Sequence, residues 1–427
     1  MNIVWILICV LFAGFFAILA WHKRSWAIYI LLLLLPSYLI RFSIGPLPST
    51  YLEILLLLLI VTFFVREIIE GRGDKLFQQP RPPYLAPIIA LWVVGLVSSF
   101  ITPDLPAALG LYKAYIIEPT LFYFVFIHTI TDKKQYKAVI WSLGALALWV
   151  SLIAILQFFT GMGIPEPYGQ EIPRRATSVF PFPNAVSLLI TPIFILFAAI
   201  FMKIKFFRRK NIWWGLEVLI LSGMAILASF SEGAWIAIVF VIGLLALTTP
   251  LRWRIISAAL LVFLAVILIP PARDYSVRLL TFQDVSGDVR LALWQGTWNL
   301  LRDRPVFGAG LGGFPAVYPE YKLDRHVELL QYPHNIFLNW WTELGFAGLI
   351  ILIWMLVLFF RQGWHALRHE HDDYRSPWPL LAVMTGIIIH GLVDVPYFKN
   401  DLAVLFWVWL GLMTIITREH KQEQISS

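Results

Sequence analysis

The sequence predicts an all-α integral membrane protein: a polytopic bundle of about 12–13 transmembrane helices with one large outer loop. Three observations carry that prediction. Of 427 residues, 59% are hydrophobic and only 14% charged, and the mean hydropathy is +0.76; in water such a chain would expose one continuous apolar patch. Apolar runs of bilayer length recur from end to end. Nineteen Trp and 32 Phe fit aromatic belts at two membrane interfaces.

The first run, MNIVWILICVLFAGFFAILAW, has no basic residue before its apolar core, and His22-Lys23-Arg24 follow it. That order predicts a retained anchor with an outside N-terminus rather than a cleaved signal. Further spans are expected near 26–40, 51–65, 84–101, 114–130, 138–158, 183–202, 212–229, 232–248, 255–271, 335–360, 378–396 and 401–417. From an outside N-terminus, alternate segments carry HKR (22–24), residues 66–81, DKKQYK (132–137), KIKFFRRK (203–210), LRWR (251–254), residues 361–376 and the REHKQ tail. They hold 21 of the 33 Lys and Arg residues, so the positive-inside rule assigns them to the cytoplasm. The net charge of +7 then reflects topology, and no basic domain is present for a nucleic acid to bind. The single cysteine, Cys9, lies in the first span and excludes an internal disulfide and cysteine-based metal sites. The chain reads as one polytopic domain, 1–427, without solenoid, low-complexity or inverted-repeat signatures.

Two outer loops stand apart. One is 161–182, GMGIPEPYGQEIPRRATSVFPF; the other, 272–333, is the one segment large enough to form a small cap. Within the second, DVRLALWQGTWNLLRDRP is expected as an amphipathic helix, with Asp288 as N-cap, Pro305 as stop, and Val289, Leu293, Trp294, Trp298 and Leu301 on its apolar side. Arg290 falls in the first turn, where the helix dipole disfavours a cation. Either a bound anion or a snorkelling contact with lipid headgroups accounts for it. Adjacent Arg174 and Arg175 run against the outer charge bias, and phosphate suits their planar forks; an interfacial headgroup is the alternative. Asn184, in PFPNAVS, is either a helix cap or a ligand for sugar or phosphate.

GAGLGG (308–313) matches G-x-G-x-x-G but lacks the strand and βαβ unit of a dinucleotide site. It reads as a turn free of side chains that lets backbone approach an anion or another helix. No Walker lysine, HExxH or cysteine zinc motif occurs, and no cofactor is expected. The HEHDD run (369–373) could hold a metal, although a solvated loop is the stronger reading.

Tyr332-Pro333-His334-Asn335 places an imidazole at the mouth of a long apolar helix. Asn335, Asn339, Thr342 and Glu343 follow on one face at i, i+4, i+7 and i+8. Such a stripe must face protein or a wet cavity. It serves either inter-helix hydrogen bonding or an active site on the membrane surface. Glu53, Glu118, Glu217, Glu232, His390 and Asp394 are ionisable groups expected at buried depth, Glu232 with an interfacial alternative. His390 and Asp394 are four apart on one helical face and are expected to pair, as structural rather than catalytic residues.

Four blocks in this order resemble the O-antigen ligase and polymerase (Wzy-C-like) superfamily of bacterial envelope glycosyltransferases. They are Arg174-Arg175 with PFPN (181–184), SEGAW (231–235), Arg290 with RPVFGAGLGGF, and PHNIFLNWWTELGFAGL. One position departs: Glu232 stands where many members carry a basic or small residue. The resemblance implies a GT-C-like enzyme in the bacterial cytoplasmic (inner) membrane, its site facing the periplasm. Such enzymes move a glycan from undecaprenyl diphosphate to an acceptor hydroxyl, of lipid A core, protein or growing polysaccharide, without metal or nucleotide. It implies that Arg290 and an arginine of the 161–182 loop grip the diphosphate and that His334 activates or positions the acceptor. Neutral imidazole can accept a hydroxyl proton near neutral pH, and fixed guanidinium groups can stabilise a departing diphosphate. The expected site is thus His334 as catalytic residue, with Arg174, Arg175, Arg290, Asn184, Asn335 and Glu343 as substrate contacts. A transporter of a small anion or other solute is another function class, compatible with His390, Asp394 and Glu118 but without the symmetric pair of broken helices it predicts; a non-enzymatic envelope scaffold is a third, and leaves the outer arginine–histidine set unexplained.

Overall fold

The structure, a computed structural model, describes residues 3–44, 47–72, 81–203, 211–249, 252–268, 285–324, 330–368 and 375–426. Two helices open the chain, α1 (Ile3–His22) and α2 (Arg24–Leu33). A 3₁₀ turn (Leu35–Leu39) then leads into the hairpin β1 (Arg41–Ile44) and β2 (Leu47–Thr50), paired from Arg41 opposite Thr50. Next come α3 (Tyr51–Ile69), α4 (Leu85–Ser99), and α5 (Leu105–Tyr112), which runs through a π turn (Lys113–Ile117) into α6 (Glu118–Thr129). The middle of the chain forms α7 (Lys133–Thr160), α8 (Pro183–Lys203), α9 (Ile212–Ala228), α10 (Glu232–Leu247) and α11 (Arg252–Leu268). The rest is α12 (Val285–Asp303), the short α13 (Phe314–Val317), α14 (Ile336–Leu367), α15 (Trp378–Gly391) and α16 (Asn400–Ser426).

Every expected span overlaps one of these helices. Five of them, α1, α7, α8, α14 and α16, are long and apolar enough to cross a membrane unaided. Local chemistry sets their ends. Thr50 accepts the Glu53 amide at the start of α3, Asp132 and Gln135 form a capping box on α7, and Gly161 closes α7 in the left-handed region at φ 74°. In α16 94% of the apolar window is buried and in α8 83%, against 11% in α1. The bundle is therefore built around α8 and α16, with α1 turned outward to lipid. α8 packs on α7, α9, α10 and α15; α16 packs on α6 and α14.

Two expected boundaries are corrected. The helix expected to begin at an Asp288 cap begins at Val285, so Asp288 lies within its first turn. There it complements the dipole instead of capping it. Leu293 and Leu301 of the expected apolar side are buried, while Trp298 is 51% exposed and edges onto Trp341 at 6.0 Å. The span expected over 378–396 stops at Gly391, which leaves Asp394 in a turn (392–399) before α16.

Among the ionisable residues, Glu53 and Glu118 are buried within the protein, Glu232 is half-buried, and Glu217 is exposed on α9. Glu53 is saturated within the protein: it accepts from Ser49 Oγ (3.0 Å), Thr50 Oγ1 (3.2 Å) and Asn400 Nδ2 (2.8 Å) and pairs with Lys113 Nζ (2.6 Å). The HEHDD run, most of KIKFFRRK, and 272–284 of the large outer loop lie outside the described residues.

A break in α14 fixes what surrounds its mouth. Gly345 has φ 69° and ψ −177° inside an otherwise helical run, a region open essentially to glycine alone. The backbone groups freed there are taken by the segment before and within GAGLGG. Phe346 N–H donates to Val306 O at 3.0 Å, and Ala309 N–H donates to Thr342 O at 2.8 Å. Gly308, Gly310 and Gly312 all have positive φ. A β-carbon on Gly308 would strike the carbonyls of Trp341 and Thr342. The glycine run therefore serves close approach to a helix, one of the two roles expected of it, and it satisfies a kink at membrane depth as irregular backbone there must be satisfied.

Candidate active site

His334 sits in the loop between the outer cap and α14, with φ 47°, in the left-handed region. Trp294 Nε1 of α12 donates to Pro333 O at 2.9 Å, which ties the cap helix to this loop. Asn335 fixes the other side. Its Oδ1 accepts the amides of Phe337 (3.0 Å) and Leu338 (3.1 Å), capping α14, and its Nδ2 donates to Leu392 O at 2.9 Å. The 330–335 loop and the 392–399 turn are thereby held face to face.

That juxtaposition brings His334 onto Asp394. Nδ1 lies 3.3 Å from Asp394 Oδ1, with the imidazole side chain 19% exposed and the carboxylate 3%. A carboxylate only accepts, so Nδ1 carries the proton and Nε2 is the nitrogen left to face a substrate. Burial alone would raise the Asp394 pKa. The His334 hydrogen bond and charge, the His390 charge and the Val395 amide outweigh burial and lower it to about 2, the last through a 2.8 Å bond. The Tyr332 ring lies tilted beside the imidazole, centroids 4.5 Å apart; burial, then the Asp394 charge, push its phenol above the ordinary value.

The contacts continue past Asp394. Asn184 Nδ2 donates to Asp394 Oδ2 at 3.3 Å, and Asn184 Oδ1 accepts from Arg175 Nη2 at 3.1 Å. Arg175 Nε donates to Ser229 O at 3.1 Å, and its guanidinium lies 5.9 Å from the Tyr168 ring. Asn184 thus joins the Arg175 guanidinium of one loop to the carboxylate behind the histidine of another. Ser229 and Phe230 lead directly into SEGAW, and Phe230 and Ser178, like His334, have positive φ. Gly233 of that block leaves room for His390; a β-carbon would sit 3.1 Å from its Cδ2.

Of the seven expected site residues, His334, Arg175, Asn184 and Asn335 converge directly. Arg290 lies on α12, half-buried and within electrostatic range of His390, which is itself buried. Arg174 turns aside and packs over Gly161, where a β-carbon would lie 2.6 Å from its Nη1. Glu343 is buried farther along α14, where its Oε2 accepts the Gly312 amide at 2.5 Å and its carbonyl accepts from Ser98 Oγ. It locks the glycine run to the helix. Asn339, Thr342 and Glu343 are all buried, so the polar stripe faces protein as the cost of lipid exposure requires.

The residue whose surroundings differ most from the expectation is Asp394. The expected i, i+4 pair with His390 inside a helix gives way to a turn in which Asp394 N–H donates to His390 O at 3.1 Å, and the carboxylate turns to His334 instead. Its depth in an apolar run was the available signal.

Residues 217–353 match the O-antigen ligase (Wzy_C) family model. That stretch runs from α9 to the first half of α14 and contains SEGAW, Arg290, the glycine run and His334. Arg174, Arg175, Asn184, His390 and Asp394 fall outside it. No curated protein matches the chain. With these motifs inside it, residues 217–353 of this all-α membrane protein are similar to the O-antigen ligase family.

Proposed function

We propose that the chain transfers a glycan from undecaprenyl diphosphate to an acceptor hydroxyl at the outer face of the bacterial cytoplasmic membrane, without a metal. The observation that carries this reading is the contact chain Arg175–Asn184–Asp394–His334. It joins a guanidinium and an imidazole in one hydrogen-bonded unit, which supports a cation for a departing phosphate beside a base for a hydroxyl. In the proposed step the acceptor hydroxyl gives its proton to His334 Nε2 as its oxygen bonds the anomeric carbon. The anomeric C–O bond to the diphosphate breaks, and its electron pair leaves with that oxygen. Asp394 steadies the imidazolium that forms, as a buried carboxylate does in hydrolytic triads. Arg175 and Arg290 stabilise the charge that grows on the leaving oxygens. Ligase and polymerase differ in this scheme only in the acceptor: lipid A core, protein or growing polysaccharide.

The donor's hydrocarbon tail has an apolar wall available. A groove of about 540 Å³ runs between α4 and α14, lined by Val93, Val97, Val306, Phe307, Phe346 and Ile350 among others. Its 305–307 edge continues directly from α12, which carries Arg290. We assign it to the polyprenyl chain.

The test is transfer in proteoliposomes of a radiolabelled glycan from undecaprenyl diphosphate to candidate acceptors, with EDTA present. Acceptor-dependent release of lipid diphosphate is expected from the unsubstituted chain. His334→Ala and Arg290→Ala should each lose at least about 100-fold. Accumulation of a small anion with no transfer to any acceptor would replace this reading with a transporter.

A further inference from the structure

Lys399 ends the turn that carries Asp394 and immediately precedes α16. Its ammonium is held in an unusual way. Nζ is buried, and no acceptor among the described residues lies within 3.5 Å of it in hydrogen-bonding geometry. It lies instead 4.6 Å from the Phe180 ring centroid and 5.0 Å from that of Tyr38, with Asp401 Oδ2 at 3.6 Å. The two rings stack on each other at 6.5 Å and 23°. A lysine serving only to neutralise Asp401 would close on it with a hydrogen bond; this one is caged by aromatic faces, which hold a desolvated cation by their quadrupoles. Burial pulls the Lys399 pKa down, while Asp401 and then Asp394 hold its charge in place.

The three groups around Nζ come from three segments. Tyr38 belongs to the 3₁₀ turn after α2. Phe180 lies between Arg175 and Asn184, in the segment that supplies the cationic end of the contact chain, and Lys399 is five residues past Asp394. Among the described residues, the Asn184–Asp394 bond, at 3.3 Å, links the polar side chains of these two segments directly. One long hydrogen bond is a weak hinge for an arrangement that must hold a phosphate contact and a proton acceptor in register.

We propose that Lys399 is a positioning residue: by clamping its ammonium between Tyr38 and Phe180 it locks the Asp394 turn to the Arg175–Asn184 segment, so that base and cation act as one site. This deepens the transferase reading and rests on it. The test compares Lys399→Met, Lys399→Arg and Phe180→Leu with the unsubstituted chain in lipid nanodiscs, by transfer kinetics and by amide hydrogen exchange. Lys399→Met is expected to lower kcat about 10-fold with donor KM within about twofold, and to raise exchange in both 175–184 and 392–399. Lys399→Arg, whose guanidinium also stacks on rings, should recover most of kcat. Phe180→Leu should give the same double exchange signature should Lys399→Met fail to fold. Unchanged kcat in Lys399→Met, or faster exchange confined to 392–399, would overturn the proposal. An unsubstituted chain that transfers nothing would overturn the transferase reading instead, and the paired exchange response would then decide the linkage alone.

Discussion

At the scale of single residues the site turns on which group stands behind His334. Asp394 binds Nδ1 and thereby selects the tautomer that leaves Nε2 basic. An asparagine fits the same space, but its amide can donate to Nδ1 and stabilise the wrong tautomer. Asp394→Asn is therefore expected to lower kcat by about 10²- to 10⁴-fold with the protein still folded, measured in the same transfer assay. The pH behaviour follows from the sign of the shift. With a native pKa of about 2, lower than that of an unfolded aspartate, the pairing stabilises the fold fully above about pH 4. That stabilisation is lost as pH falls through about 2. The Asp394 carboxylate thus stays ionised from about pH 5 to 8, and an acid limb of the rate profile in that window reports an imidazole. A limb below pH 4 would point back to Asp394.

The same residue marks what the sequence could and could not tell. His334, Arg175 and Asn184 were legible because each carries a local anomaly: an imidazole after Pro333, a cation against the outer charge bias, an amide at a helix entrance. Asp394 carries none. Four residues after His390 in an apolar run, it fits a helical pair equally well, and only the termination of α15 at Gly391 redirects it. Arg174 and Arg175 are indistinguishable in sequence; the left-handed cap at Gly161 draws one away while Asn184 takes the other. Glu343 was read from its helical face, but its partner is an amide contributed by the glycine run, a contact that no helical periodicity encodes.

At the scale of elements, the kink in α14 and the glycine run form one device. The run crosses the break at Gly345 and replaces the missing helical hydrogen bonds with its own backbone. In Gly345→Ala the new β-carbon meets the Val306 carbonyl, and the residue must still adopt φ 69°. A loss of about 3 kcal/mol or more is expected, visible as a lower thermal midpoint in detergent. Ala347→Gly, two residues on in the same helix, should cost only about 1 kcal/mol. The groove beside that kink makes a separate prediction. Val97 projects into it from α4 and is 45% exposed. Val97→Trp should fill it and raise KM for a long-chain polyprenyl donor about 10-fold with kcat unchanged. A donor with a two-isoprene tail should not respond; equal effects on both donors would remove the tail from the groove.

At the scale of the whole molecule, the architecture was legible because lipid imposes so few solutions: apolar runs of bilayer length must be helices. Each of the thirteen expected segments overlaps one. Their ends were less legible, since hydropathy continues past Gly391, where α15 stops, and α12 is already helical at Val285, before Asp288. The charge pattern extends the argument to orientation. With the N-terminus outside, the Lys133–Lys134 end of α7 faces the cytoplasm, and its other end leads into the loop that carries Arg175, on the His334 side. A single membrane orientation must place those two ends on opposite sides, because α7, at 28 residues, is long enough to cross alone. In a Cys9→Ser background, Glu166→Cys should react fully with a membrane-impermeant maleimide in intact cells, and Lys134→Cys only after permeabilisation. The reverse pattern would turn the whole bundle over and put His334 on the cytoplasmic side, where a lipid-linked glycan presented at the outer face could not reach it.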